Sequence, residues 1–300
     1  MRVMLDVFSG RPNPTWQVPP SLAQHVRQLM SRQGGPVSAA PTPALGYRGL
    51  LVGIGPEDAD APAAFHIGVP PLATVETKEE AVSARRARLP DEEREAVLAL
   101  LESARPLVAR AVIDEAARSV ELRGDGVAPR ANRSAALRAS GAEAPTAAEQ
   151  PEVEPPCEPI LAAYSPWFWN TPSVRLRNNC YNYASNYVSN FVAQPGRRVG
   201  RQYDEFSCEA VARAAIADGF RANCDGPARL AALAVWPGHD FHWYRSHGDF
   251  WGHKLGIYSA RNVDNRGRVI AGALTPATCD RGPYTQFCSY LFVPPGVEVF

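Results

Sequence analysis

The stretch G238-HDFHWYRSHGDFWGH-K254 decides how the chain is read, because it gathers four of the six histidines within fifteen positions. Gly248 follows directly after His247 and can supply the positive φ a tight turn needs, so the segment predicts a β-hairpin. A two-residue turn at His247-Gly248 would set Tyr244 opposite Trp251 and His242 opposite His253. Side chains alternate along a strand, so these four would share one face, with Phe241, Trp243 and Arg245 on the other. Directly opposed residues have Cβ atoms about 5 Å apart. Two imidazoles held that close suit proton transfer, one taking the proton and the other fixing its partner's tautomer. Alternatively, His239, His242 and His253 could converge on zinc or iron with Asp240 or Asp264 as a carboxylate ligand.

Upstream, Asn178 and Asn179 are good N-cap residues for a helix running from Cys180 to about Gln194, ahead of Pro195-Gly196. Cys180 then falls in the first turn and shares an apolar face with Ala184, Tyr187 or Val188, and Phe191. Asn182, Asn186 and Asn190 line a polar face. A thiol at a helix start can have its pKa lowered, which would make the sulfur nucleophilic. The backbone N–H of Cys180, with Asn178 or Asn179, could hold an oxyanion.

A helix-start Cys followed by a strand His and then a polar residue on the next strand resembles the papain-like superfamily, its NlpC/P60 branch most of all. The resemblance covers about 180–255. It implies an α+β fold with a helix packed on an antiparallel sheet, and a Cys180–His242–His253 triad cleaving or transferring an amide or peptide bond. It implies no cofactor. Asn179, Asn182, Tyr244, Trp251 and Trp167 are the candidates for contacting a peptide or amide substrate. Lys254 stands beside His253 in a chain whose basic residues are mostly arginine.

Around this centre the chain divides by composition. Residues 1–122 predict a small α+β unit: strands in "RVMLDVF", "YRGLLVGIG" and "AAFHIGV", and helices in "PSLAQHVRQLMSR" and "LPDEEREAVLALLESARPLVARAV". Asp6, Ser9, Arg11 and Asn13 there read as ordinary strand-to-turn residues. Residues 123–160, rich in Ala, Pro and Glu, predict a flexible linker, with Cys157 incidental within it. Residues 161–300 predict the second α+β unit.

Net charge is zero, with 31 basic against 31 acidic residues, so no global field draws the chain to nucleic acid or an anionic membrane. No segment reads as a signal peptide or a membrane span, which predicts a cytoplasmic protein with free thiols. Were disulfides to form, Cys208–Cys224 and Cys279–Cys288 would be the local pairs. A non-catalytic interaction or toxin-like module, recognising partners through its aromatic hairpin, is the other reading.

Overall fold

The computed structural model describes residues 1–32, 45–53, 65–68, 90–122 and 157–300. Its architecture is α+β. Most of the expected linker lies outside the described residues.

Alternating burial along β1 (Arg2–Asp6) places Val3 and Leu5 in the core, and β1 is flanked by β2 (Thr15–Gln17) and β3 (Gly49–Gly53). With β4 (Phe65–Ile67) they form an antiparallel sheet in the order β2-β1-β3-β4. Helices α1 (Pro20–Arg32), α2 (Asp91–Ser103) and α3 (Arg110–Leu122) accompany it. The sequence predicts α2 and α3 as one helix. They are separate because Pro106 lacks the N–H a helix interior needs, and a turn replaces the helix at 104–107.

The second sheet follows three short helices, α4 (Pro166–Trp169), α5 (Pro172–Arg175) and α6 (Cys180–Ser185), and the longer α7 (Cys208–Ala217). The two-residue β5 (Glu158–Pro159) adds a parallel rung to β6 (Pro227–Trp236). Then come β7 (Asp240–Ser246), β8 (Trp251–Lys254), β9 (Ala260–Arg261) and β10 (Gln286–Val293), in the antiparallel order β10-β6-β7-β8-β9.

Both faces of this sheet are covered. Ala231, Leu233, Val235, Phe241 and Trp243 pack with Cys180, Tyr181 and Val211 of α6 and α7. Ala232, Ala234, Trp236 and Tyr244 belong to the same buried cluster as Val3, Leu5, Leu50 and Leu100. The expected N-terminal and C-terminal units therefore share one core, and the strand period of two sorts β6 and β7 between the two layers.

Four expectations need correction here. First, α6 spans six residues and ends where Asn186 turns left-handed (φ 58), so Val188 and Phe191 lie beyond it. Second, the hairpin pairs Tyr244 with His253 and Ser246 with Trp251. Its tight turn sits one residue later than expected, at Gly248-Asp249, with Gly248 at φ 91. A slip of one turn residue moves the pairing by two, so the expected faces survive while the opposed pairs change.

Third, the cysteines are not all free. Cys157 bonds Cys224 and Cys208 bonds Cys288, with Cα separations of 5.0 and 5.2 Å. Cys157 is thus not incidental, and the expected local pairs do not form. Cys180 and Cys279 remain free and buried. Fourth, three of the hairpin aromatics face the interior and not solvent. Phe241, Trp243 and Tyr244 are all buried.

Candidate functional site

The candidate site is a sealed chain of hydrogen bonds, and one of its members comes from the N-terminal unit. His253 Nε2 lies 2.9 Å from the carbonyl of Val263, so it must carry the proton and donate. Its Nδ1 is then an acceptor and takes the Nε2–H of His242 at 2.8 Å. That leaves His242 Nδ1 as an acceptor for the hydroxyl of Ser9, 2.6 Å away. The tautomers follow from the single fixed acceptor at the end of the chain. The structure brings His242 and His253 together diagonally across β7 and β8. Tyr244 stacks on His253 with an interplanar angle of 17°.

Cys180 meets this chain only through Ser9, on the other side of β7. Helix α6 packs on the face of β7 that carries Phe241 and Trp243, and Arg245 on that face donates to the Tyr183 carbonyl. His242 points to the opposite face, and both its ring nitrogens are taken by Ser9 and His253. The thiol instead donates to the Ser9 carbonyl at 3.6 Å. Burial pushes its pKa up to about 12, and the nearby Asp240 adds to that shift. The expected lowering by the helix start is overwhelmed, because desolvation disfavours the thiolate. In this structure Cys180 therefore makes no hydrogen bond to His242, its thiol being directed to the Ser9 carbonyl.

Ser9 is held in turn by Asp240, which accepts the backbone N–H groups of Ser9 (2.6 Å), Gly10 (3.1 Å) and Arg11 (3.1 Å). Tyr284 donates its hydroxyl to the same carboxylate at 2.5 Å. Asp240 is fully buried, and desolvation raises its pKa against those hydrogen bonds.

The remaining candidates divide. Asn179 and Asn182 form a reciprocal capping box at α6: the Asn179 side chain accepts from Tyr181 and Asn182, and the Asn182 side chain accepts from Asn179. The Asn178 side chain donates to the Val174 carbonyl and accepts from the N–H of Asn190. Trp251 packs beside Tyr290. Trp167 is 73% exposed on α4 and lines nothing at this site, whereas its neighbour Trp169 is core. His247 is no idle turn residue: it donates from Nδ1 to the Ala162 carbonyl and accepts the Tyr183 hydroxyl.

Lys254 points inward and donates to three carbonyls, those of Arg175, Asn178 and Gly256. It thereby ties the approach to α6 to the end of β8. Burial depresses its pKa to about 7.

The metal alternative fails on donor geometry. His242 and His253 spend their ring nitrogens on each other, on Ser9 and on Val263. His239 packs edge-on against Trp236, and the Asp264 carboxylate is occupied by Arg268 and by backbone N–H groups. Among the described residues no group of three or more His, Cys, Asp or Glu side chains could hold a metal ion.

Ser9 and Tyr284 are the site residues that sequence reasoning missed, and Asp240, expected only as a possible metal ligand, holds the N-terminal segment instead. The only local signal was the dense polar cluster of Asp6, Ser9, Arg11 and Asn13. In the structure Asp6 holds the buried Arg48, and the Asn13 side chain accepts from the N–H groups of Val7 and Phe8.

The two rings make the fold acid-sensitive. Burial lowers His253 to about 3 and His242 well below its ordinary value of 6.5. Between those values and 6.5 the unfolded chain binds protons that the folded chain refuses, so stability falls as pH drops below about 6.5. Two pH units below that point the His253 ring withholds roughly 2.5 kcal/mol, and His242 acts in the same direction. NMR titration of the ring protons is expected to show both imidazoles neutral from pH 8 to 5, while the urea midpoint falls over the lower part of that range. A ring titrating near 6.5 in the folded protein would contradict the assignment.

Comparison with known proteins then gives one match of substance. Insoluble matrix shell protein 1 from Ruditapes philippinarum is 44% identical over 140 residues, covering 45% of this chain and 93% of that protein. No family model matches the chain, and no solved structure matches it. The likeness to a shell matrix protein overturns the reading as a cytoplasmic thiol hydrolase. The two disulfides agree with that correction, since such bonds persist in oxidising compartments.

Proposed function

We propose a structural function from one premise: the chain belongs to the family of insoluble matrix shell protein 1. In this reading it is a disulfide-stapled component of an insoluble extracellular matrix, and its Cys-and-His constellation holds the fold together. The observation that carries the reading is the sealing of that constellation. Ser9, Cys180 and His242 are all fully buried and His253 nearly so, and a catalytic group must touch its substrate. The papain-like order of parts, helix-start Cys before paired strand histidines, then serves as a scaffold whose polar groups are spent on one another. The two units lock through it, the N-terminal unit supplying Ser9 and the C-terminal unit supplying His242, His253 and Asp240.

Buried polar networks of this kind are satisfied or costly, so they specify one arrangement of the layers. Disulfides then keep that arrangement where no chaperone or reductant acts. The test is secretion of the full chain from a eukaryotic cell line, followed by fractionation of the extracellular material. The protein is expected in the pellet, resisting extraction with 1 M salt (which weakens exposed charge pairs, whose screening length is then about 3 Å). Recovery of the whole population as soluble protein in the medium would overturn the proposal.

A further inference from the structure

The segment Ser9-Gly10-Arg11 is bound by side chains in the way a ligand is bound. Three consecutive N–H groups go to Asp240. The Ser9 hydroxyl goes to His242 Nδ1. The Gly10 carbonyl accepts from Asn179 Nδ2 at 2.6 Å and from Gln194 Nε2 at 2.8 Å. The Ser9 carbonyl takes the Cys180 thiol. Every one of these partners lies in the C-terminal unit, between 169 and 233 residues away along the chain.

Residues 9–11 form a bend, and backbone in a protein interior ordinarily satisfies its polar groups through a sheet ladder or local turns. Here isolated side chains from three places in the fold, the start of α6, Gln194 and β7, converge on it. They are themselves pre-oriented. Asn179 is fixed by the capping box and by a second bond to the Ala193 carbonyl. Gln194 is fixed by the Tyr203 hydroxyl on its Oε1, and Asp240 by Tyr284. The fit is also steric. A Cβ on Gly10 would stand 2.5 Å from the Phe241 carbonyl oxygen and from its ring, so only glycine passes at that position.

From this convergence we propose that Asn179, Gln194, Asp240 and His242 form a peptide-acceptor site for a bent small-hydroxyl–glycine sequence, and that the chain's own Ser9-Gly10-Arg11 is its resident ligand. The site recognises backbone on both edges and a hydroxyl on one side chain, and no covalent step is involved. Occupancy by a tethered segment keeps it closed, since the resident ligand competes at high effective concentration. A second chain presenting the same sequence could occupy the site only when the resident segment leaves.

The experiment uses the full chain and a labelled peptide of residues 5–13, Leu-Asp-Val-Phe-Ser-Gly-Arg-Pro-Asn. Gly10→Val evicts the resident segment by its clash with Phe241. Fluorescence anisotropy is expected to show the peptide binding to G10V at least tenfold more tightly than to wild type (about 1.4 kcal/mol). The same peptide with Val in place of its Gly should not bind. Retention of cooperative unfolding and of near-ultraviolet circular dichroism establishes that G10V is folded.

Should G10V fail to fold, hydrogen exchange on the wild type gives the answer. Excess peptide is expected to speed exchange of the Ser9, Gly10 and Arg11 amides, leaving the β6 amides unchanged, and the Val-substituted peptide to have no effect. Absence of binding to folded G10V, or exchange at those amides indifferent to the peptide, would overturn the proposal. Because neither readout involves matrix partition, failure here is distinguishable from failure of the structural reading.

Discussion

Reduction of the two disulfides is expected to lower the unfolding midpoint by roughly 10–20 °C. The bridges close loops of 67 and 80 residues, Cys157 to Cys224 and Cys208 to Cys288. In the chain-entropy account, loops of that length confer about 4 kcal/mol each, because the cross-link restricts the unfolded chain more than the folded one. Their placement reinforces the arithmetic. Cys224 lies just before β6, and Cys157 carries the β5 rung that pairs with the start of that strand. Cys208 opens α7, and Cys288 sits at the irregular step in β10 where the pairing shifts between Phe287 and Ser289. One bridge thus anchors the entry to the central strand, and the other clamps α7 to the sheet edge. Differential scanning calorimetry with and without reductant at pH 7 reads the effect. A midpoint unchanged after verified reduction of all four cysteines would mean that the stapling contributes nothing.

Asp240→Ala is expected to destabilise the fold by about 3–5 kcal/mol, the range for breaking a buried charged group away from its partners. The substitution orphans the N–H groups of Gly10 and Arg11 and the Tyr284 hydroxyl together and leaves the Ser9 N–H only its 3.1 Å contact to the Tyr284 oxygen, in a region closed to water. Asp240→Asn keeps the shape and one acceptor oxygen, so it should cost less than half as much. That ordering separates loss of hydrogen-bond acceptors from loss of volume. Urea unfolding of the three proteins at pH 7 provides the comparison. Equal midpoints for wild type and D240A would show that the N-terminal segment is not held through this carboxylate.

How far the sequence disclosed these features depended on the distance between partners. The faces of β7 were legible because alternation is a local property: His242 and Tyr244 share one face and Phe241 and Trp243 the other, whichever turn residue closes the hairpin. The cap at Asn179 was legible for the same reason. The extent of α6 was not, since Asn186 ends it by adopting a left-handed conformation that asparagine tolerates but does not announce. Ser9 was read as a turn residue because its hydrogen-bond partner is 233 positions away. Nothing in "VFSGRPNP" distinguishes a turn that faces water from one that plugs a second unit.

The cysteines show a different kind of error. The cytoplasmic reading rested on the absence of a recognisable leader, and it led directly to free thiols. Spacing favoured neighbours in sequence, whereas the fold joins Cys157 to Cys224 and Cys208 to Cys288 across two sheet strands and a helix. Cys180 was assigned a reactive role from its place at a helix start. Burial decides against that role, because the cost of desolvating a thiolate exceeds what six residues of helix return.

The account stands on one physical claim, that the N-terminal segment closes the Cys180 and His242 region to solvent in the native protein. Iodoacetamide labelling of the unreduced protein at pH 8, followed by peptide mapping, tests it directly. The account predicts that Cys180 is modified no faster than the protein unfolds, with labelling appearing only as urea approaches the unfolding midpoint. Rapid and selective carboxamidomethylation of Cys180 in the folded protein would show an open, ionisable thiol and contradict it.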